Sequence, residues 1–342
     1  MEVILGLMMA GLSGIFGGSY ALPMKKTGQW AWENVWVFWA LIGLLISPWI
    51  LALWTVPSLF SVLADSGFKA LLVAFIFGSL WGLGSVFFGR SIAILGMGLS
   101  YAISLGLTVA IGSLIPLVRK PELLTSTGGK IVTLGIAILV LGVIVSSVAG
   151  NLKEKKTSSA APTAETSGKP NLFVLGMVLC VVSGFFNPMI NFAFEFGDKI
   201  VATAIAGGAS AGNAPNAVWA VALLGGLVTN IVYCFILLSK NKTWANYKKE
   251  GISHYPLLSG LMGLLWFLSL ATYGMASVKM GPLGKSAGFA IYIGGCIFVS
   301  NFWGILTGEW KQGKGKPMNV MIGALLLLLI AMIVIAIGNY IQ

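Results

Sequence analysis

The sequence predicts an all-α integral membrane protein of ten transmembrane helices, arranged as two inverted five-helix repeats. Three observations lead there: a composition too poor in charge for water, a series of long uncharged runs, and matching residues in the two halves. Apolar residues make up 57% of the 342 and charged residues 9%, against about 25% charged in an ordinary soluble domain. So few charges cannot cover a surface in water, which excludes soluble enzymes, nucleic-acid binders and disordered chains. The formal charge of +11 is spread in short basic clusters between the apolar runs, as in membrane loops.

The runs, read from charge to charge, are 3–24, 34–64, 70–89, 91–118 and 131–152, then 171–194, 200–239, 255–278, 286–308 and 317–342. A helix needs about 20 apolar residues to cross the hydrocarbon, and each run supplies one. The second run is over-long and should stop near Pro57; the seventh opens with a small polar stretch, 207–216, read as a loop. Period-two alternation is absent, which argues against a transmembrane barrel. Helices satisfy their own backbone polar groups and so stand in lipid. The polar stretch 151–170, rich in Lys, Ser, Thr, Ala and Pro, reads as a flexible linker. The expected organisation is therefore a first repeat over 1–152, a linker over 153–170 and a second repeat over 171–342.

With ten spans, fourteen of the 21 Lys and Arg fall on one side of the membrane. That side should be cytoplasmic, which places both termini outside. Residues 1–24 do not read as a cleavable signal, because Glu2 stands where a basic leader would and Lys25-Lys26 follow the apolar run.

Gly6, Ser13, Gly14 and Phe16 in helix one recur as Gly176, Ser183, Gly184 and Phe186 in helix six. Val35-Trp36 and Gly43 in helix two recur as Val218-Trp219 and Gly226, and Trp81, Gly89 and Gly96 as Trp266, Gly274 and Gly281. Because five is odd, the second half enters the membrane upside down, an architecture of secondary transporters whose site lies near the midplane. The small residues Gly6, Ala10, Gly14 and Gly18 leave one face of helix one nearly bare backbone, fit for close packing.

Helix six carries the most informative polar pattern. Ser183, Asn187, Asn191 and Glu195 are four apart and share one side, which must face protein or water. Pro188 removes a backbone hydrogen bond and should kink the helix. Amides donate and accept, which suits a hydroxyl-rich, uncharged ligand; the alternative is that they bond neighbouring helices. Glu195 interrupts an apolar helix at a cost of about 2.5–3.5 kcal/mol when ionised at the bilayer centre, a cost that proton uptake removes. It is either a proton-coupling site, with Glu33 second, or a mouth residue paired with Lys199. Further candidates are Tyr101 beside Ser100, Ser104 and Thr108, then Asn230, Tyr292 and Asn301. Trp81 and Trp266 occupy equivalent places and could stack on a sugar, whereas Trp30, Trp32, Trp36, Trp49 and Trp54 read as interface anchors. Cys180, Cys234 and Cys296 read as apolar fillers, with no metal spacing. No nucleophile–base arrangement points to an enzyme.

The segment Tyr20-Ala21-Leu22-Pro23-Met24-Lys25-Lys26, followed by Trp30-Ala31-Trp32-Glu33 and Trp36, resembles the start of the bacterial L-rhamnose–proton symporters. Trp81-Gly82-Leu83-Gly84, Leu95-Gly96-Met97, Ala149-Gly150-Asn151-Leu152, Gly263-Leu264-Leu265-Trp266 and Glu309-Trp310 extend the resemblance over the full length. It implies the drug/metabolite transporter fold, with a cavity lined by helices one to four and six to nine. It also implies proton-driven uptake of L-rhamnose or a similar neutral sugar across a bacterial inner membrane. Expected partners are that sugar, a proton and the lipid bilayer, with no cofactor, metal or nucleic acid. Ser183, Asn187, Asn191, Trp81, Trp266, Tyr101 and Tyr292 are the expected sugar contacts, and Glu195 and Glu33 the proton groups. The rival readings are a small-metabolite or drug exporter on the same scaffold and a non-transporting sugar sensor.

Overall fold

The computed structural model describes residues 1–95, 97–158, 170–308 and 310–341. Its long helices are α1 (Glu2–Ser19), α2 (Trp32–Thr55), α3 (Phe68–Leu95), α4 (Met97–Arg119), α5 (Thr127–Ser158), α6 (Pro170–Phe186, continued by Met189–Glu195), α7 (Pro215–Lys240), α8 (Tyr255–Lys279), α9 (Gly284–Leu306) and α10 (Lys316–Tyr340). Among the described residues, nine helical segments are long and apolar enough to cross a membrane; the apolar part of α4, Ile103–Arg119, is shorter. No strand occurs among the described residues. The chain is thus an all-helical, multi-pass membrane protein.

Local sequence explains the interruptions. Pro48 lacks the N–H that would bond Leu44, and the turn before it, Leu41–Ile46, widens into a π-helix. α2 then ends at Thr55, just before Pro57. In α6 the helix breaks at Asn187-Pro188 and restarts at Met189. α5 runs on to Ser158, past the expected start of the linker at 153. Its last turn holds Lys155 and Lys156, cations that suit the negative end of the helix dipole. The rest of that linker, 159–169, lies outside the described residues.

Packing follows the small residues. α1 lies against α8 and α9, and α6 lies against α3 and α4; α2 meets α8 as α7 meets α3. α5 and α10 pair with each other along one flank, through Leu139, Val143, Leu328 and Ile335. Where α1 crosses α9, a Cβ on Gly14 would sit 2.7 Å from the Gly295 Cα. Where α2 crosses α8, a Cβ on Gly43 would sit 2.9 Å from the Gly263 carbonyl oxygen. Such backbone contacts are open only to glycine. The centre is an aromatic cluster that includes Trp39, Trp81, Trp266, Tyr273, Phe289 and Tyr292.

Candidate functional site

A chamber of about 200 Å³ lies where α1, α2, α3, α4, α6, α8 and α9 converge. Its wall is mostly aromatic: Tyr20, Trp36, Trp39, Trp81, Phe88, Trp266, Phe289 and Tyr292. The polar lining groups are Ser85, Thr108, Asn187 and the tyrosines, and no charged residue lines it among those described. Trp81 and Trp266 stack with ring centroids 5.1 Å apart, and Trp266 meets Trp39 edge-on at 5.3 Å. Trp39 stacks in turn on Trp36 at 4.1 Å. Spacing of three and four residues along α2 puts Trp32, Trp36 and Trp39 on one side.

Asn187 sits in the break of α6. Its amide donates to Ser183 Oγ at 3.0 Å, while Ser183 donates to the Gly84 carbonyl at 3.0 Å. Ser183 is fully buried and does not line the chamber. Asn191 is also fully buried: its amide donates to the Gly112 carbonyl at 2.6 Å, and its oxygen accepts from the Tyr273 hydroxyl. Tyr273 stacks on Tyr292 at 5.5 Å, so this buried group abuts the chamber wall. Tyr101 stands on α4, but its side chain lies outside the described residues.

Glu195 lies away from the chamber, 2% exposed. Its Oε1 accepts from Arg119 Nη1 at 2.9 Å, and Lys285 Nζ lies 3.4 Å from Oε2. Arg119 also donates to the Glu195 carbonyl at 2.8 Å, and Lys285 bonds Asp198 at 2.7 Å. This cluster ties the ends of α4 and α6 to the start of α9. Lys199 is not the partner, because Phe196 and Gly197 end α6 and put Lys199 on a separate helix, Asp198–Ala206. Beside the cluster, Ser286 donates to the Ser113 carbonyl and so joins α9 to α4 a second time.

Glu33 stands at the opposite end. Its Oε1 accepts from Thr243 Oγ1 at 2.7 Å and from Asn241 Nδ2 at 3.0 Å. Asn34 donates to the Thr243 carbonyl at 3.0 Å, and Trp30 to the Asn246 carbonyl at 3.2 Å. Tyr247 donates to the Asn34 carbonyl at 3.2 Å; burial pushes its phenol up to about 12, so it stays a neutral donor. Glu33 therefore clasps the segment between α7 and α8 and, like Glu195, does not line the chamber.

Residues 1–340 match the family described as L-rhamnose-proton symport protein (RhaT). The chain belongs to this family. It is 28% identical to the L-rhamnose-proton symporter of Yersinia pestis (strain Pestoides F) over 342 residues, 97% of each chain. It is 26% identical to the L-rhamnose-proton symporter of Shigella dysenteriae serotype 1 (strain Sd197) over 324 residues, 92% of each. As a member of this symporter family the chain is a transporter, not an enzyme.

For this family member, several site residues escaped the reading of the sequence. Trp36 lines the chamber instead of anchoring an interface, and Trp30 is 8% exposed and bonded to protein, whereas Trp54 is 83% exposed. The one-sided spacing of Trp32, Trp36 and Trp39 was the available signal. Nothing in the chain order marks Ser85, Phe289 or the pairing of Arg119 and Lys285 with Glu195, which arises only when three distant helices meet.

Proposed function

We propose that the chain is a secondary transporter that takes up L-rhamnose or a closely related neutral sugar with protons, by alternating access across a bacterial inner membrane. The frame would be ten transmembrane helices in two inverted repeats, 1–152 and 171–342, with both termini outside. One observation carries the reading: an uncharged, aromatic-walled chamber stands where equivalent residues of the two halves, Trp81 and Trp266, stack on each other. Equivalent residues touch only near the axis that relates two copies. The glycine contacts repeat in the same sense. Gly43 of the first half meets Gly263 of the second, and their counterparts, Gly226 of the second and Gly78 of the first, also meet, with a Gly226 Cβ 3.4 Å from the Gly78 carbonyl oxygen.

The chemistry of the wall favours a neutral sugar. Indole faces cover the apolar C–H face of a pyranose, and Asn187, Ser85 and Thr108 offer donors and acceptors to its hydroxyls. An anionic metabolite would enter this wall without a countercharge, at a cost of several kcal/mol, which disfavours it as the cargo.

The ion cluster around Glu195 would be the outer closure. Arg119 on α4 and Lys285 on α9 hold this carboxylate, and Lys285 also pairs with Asp198 beyond the end of α6. A proton arriving from outside cancels the charge on which both cations lean and releases α4 and α9 from α6. One proton crossing 100 mV supplies about 2.3 kcal/mol, which sustains roughly a fifty-fold sugar gradient. The test is uptake of labelled L-rhamnose into proteoliposomes. Accumulation under an imposed inside-alkaline gradient supports the proposal; equilibration alone, or no entry, sinks it.

A further inference from the structure

Asn230 on α7 is 1% exposed and does not line the chamber, yet its side chain touches two residues that do. Its Oδ1 accepts from the Trp36 indole Nε1 at 3.0 Å, and Ser85 Oγ lies 3.1 Å from the same oxygen. Its amide nitrogen is anchored on the Gly226 carbonyl at 2.8 Å, one turn back on α7. The side-chain oxygen of this asparagine thus joins α2 and α3 to α7.

The consequences for the two wall residues are specific. Trp36 has Trp32 stacked on one side at 4.7 Å and Trp39 on the other at 4.1 Å. With both neighbours in place and its N–H held by Asn230, the ring offers the chamber a fixed edge. Ser85 has one hydroxyl proton, and both acceptors within its reach, Gly82 O at 2.8 Å and Asn230 Oδ1, belong to the protein. A hydroxyl committed in that way faces a ligand as an acceptor only.

We propose that Asn230 is a positioning residue of the chamber. It sets the Trp36 edge beside the Ser85 acceptor, and this pairing selects a ligand that places a hydroxyl donor next to an apolar face. The inference rests on the sugar-binding reading above and adds a residue that acts without touching the ligand.

The experiment is a double-mutant cycle on L-rhamnose affinity, measured by calorimetry on the full-length protein in nanodiscs. Asn230→Leu removes the acceptor and should weaken binding about tenfold, the usual worth of a lost buried hydrogen bond. Trp36→Phe removes the N–H donor and should also weaken binding. Combined, the two should cost little more than the larger single effect, because the second change deletes a contact already gone. Ser85→Ala should lower affinity for L-rhamnose more than for an analogue lacking the hydroxyl that Ser85 accepts. If Asn230→Leu does not assemble, Asn230→Ser, shorter and free of clashes, runs the same cycle. Unchanged affinity at position 230, or effects that multiply, overturns the inference. Absence of L-rhamnose binding by the unmodified chain would instead overturn the sugar-binding reading beneath it.

Discussion

Asn187 and Glu195 stand eight residues apart in one run of sequence, yet the break at Asn187-Pro188 gives them different surroundings. Asn187 borders an uncharged chamber, with its amide nitrogen already bonded to Ser183. If Asn187 contacts the sugar as proposed, replacing it by alanine should lower L-rhamnose affinity about tenfold, read by calorimetry. Glu195 is held by Arg119 and Lys285 and is predicted to work through its charge. Glu195→Gln keeps the shape and removes the proposed proton switch, so on that proposal uptake driven by a pH gradient should vanish while sugar counterflow persists. Active uptake at the normal rate would remove Glu195 from coupling. At this scale the chain order was a partial guide. The four-residue spacing of Ser183, Asn187, Asn191 and Glu195 showed which face must be covered. It could not show that Asn191 spends its amide on Gly112 and Tyr273, because those partners stand on other helices.

Elements are shaped by where proline and glycine fall. The break at Asn187-Pro188 turns a continuous apolar run into two short helices and leaves Asn187 beside the chamber. Charge-to-charge reading marked most helix positions, although Arg90, read as a boundary, stands inside α3 (Phe68–Leu95). It missed the end of α5, because Lys153, Glu154, Lys155 and Lys156 are as compatible with helix as with loop. Glycine contacts were legible only as a bare face on α1; the partners Gly295 and Gly263 needed the folded chain. Gly43→Val should place side-chain atoms against the Gly263 backbone and lower stability by about 1–3 kcal/mol, seen as a reduced melting temperature in detergent. Gly11→Val is the control: nothing lies within 4 Å of its Cβ position, so the melting temperature should not move.

At the scale of the molecule, two clasps stand on either side of one chamber. One is an ion-pair cluster around Glu195; in the other, the neutral donors Asn241 and Thr243, from the segment between α7 and α8, bond the Glu33 carboxylate. The chamber borrows its wall from both halves, which is why no single stretch of sequence announced it. Occupation of this space by the sugar is open to a direct probe already in the chain. Cys296 lines the chamber, whereas Cys180 and Cys234 are buried. The rate at which a small thiol reagent modifies Cys296, mapped by mass spectrometry, should fall several-fold in saturating L-rhamnose and stay unchanged with a charged sugar phosphate. Modification of Cys296 at the same rate with and without L-rhamnose, in protein that still binds the sugar, would place the binding site elsewhere and contradict the account.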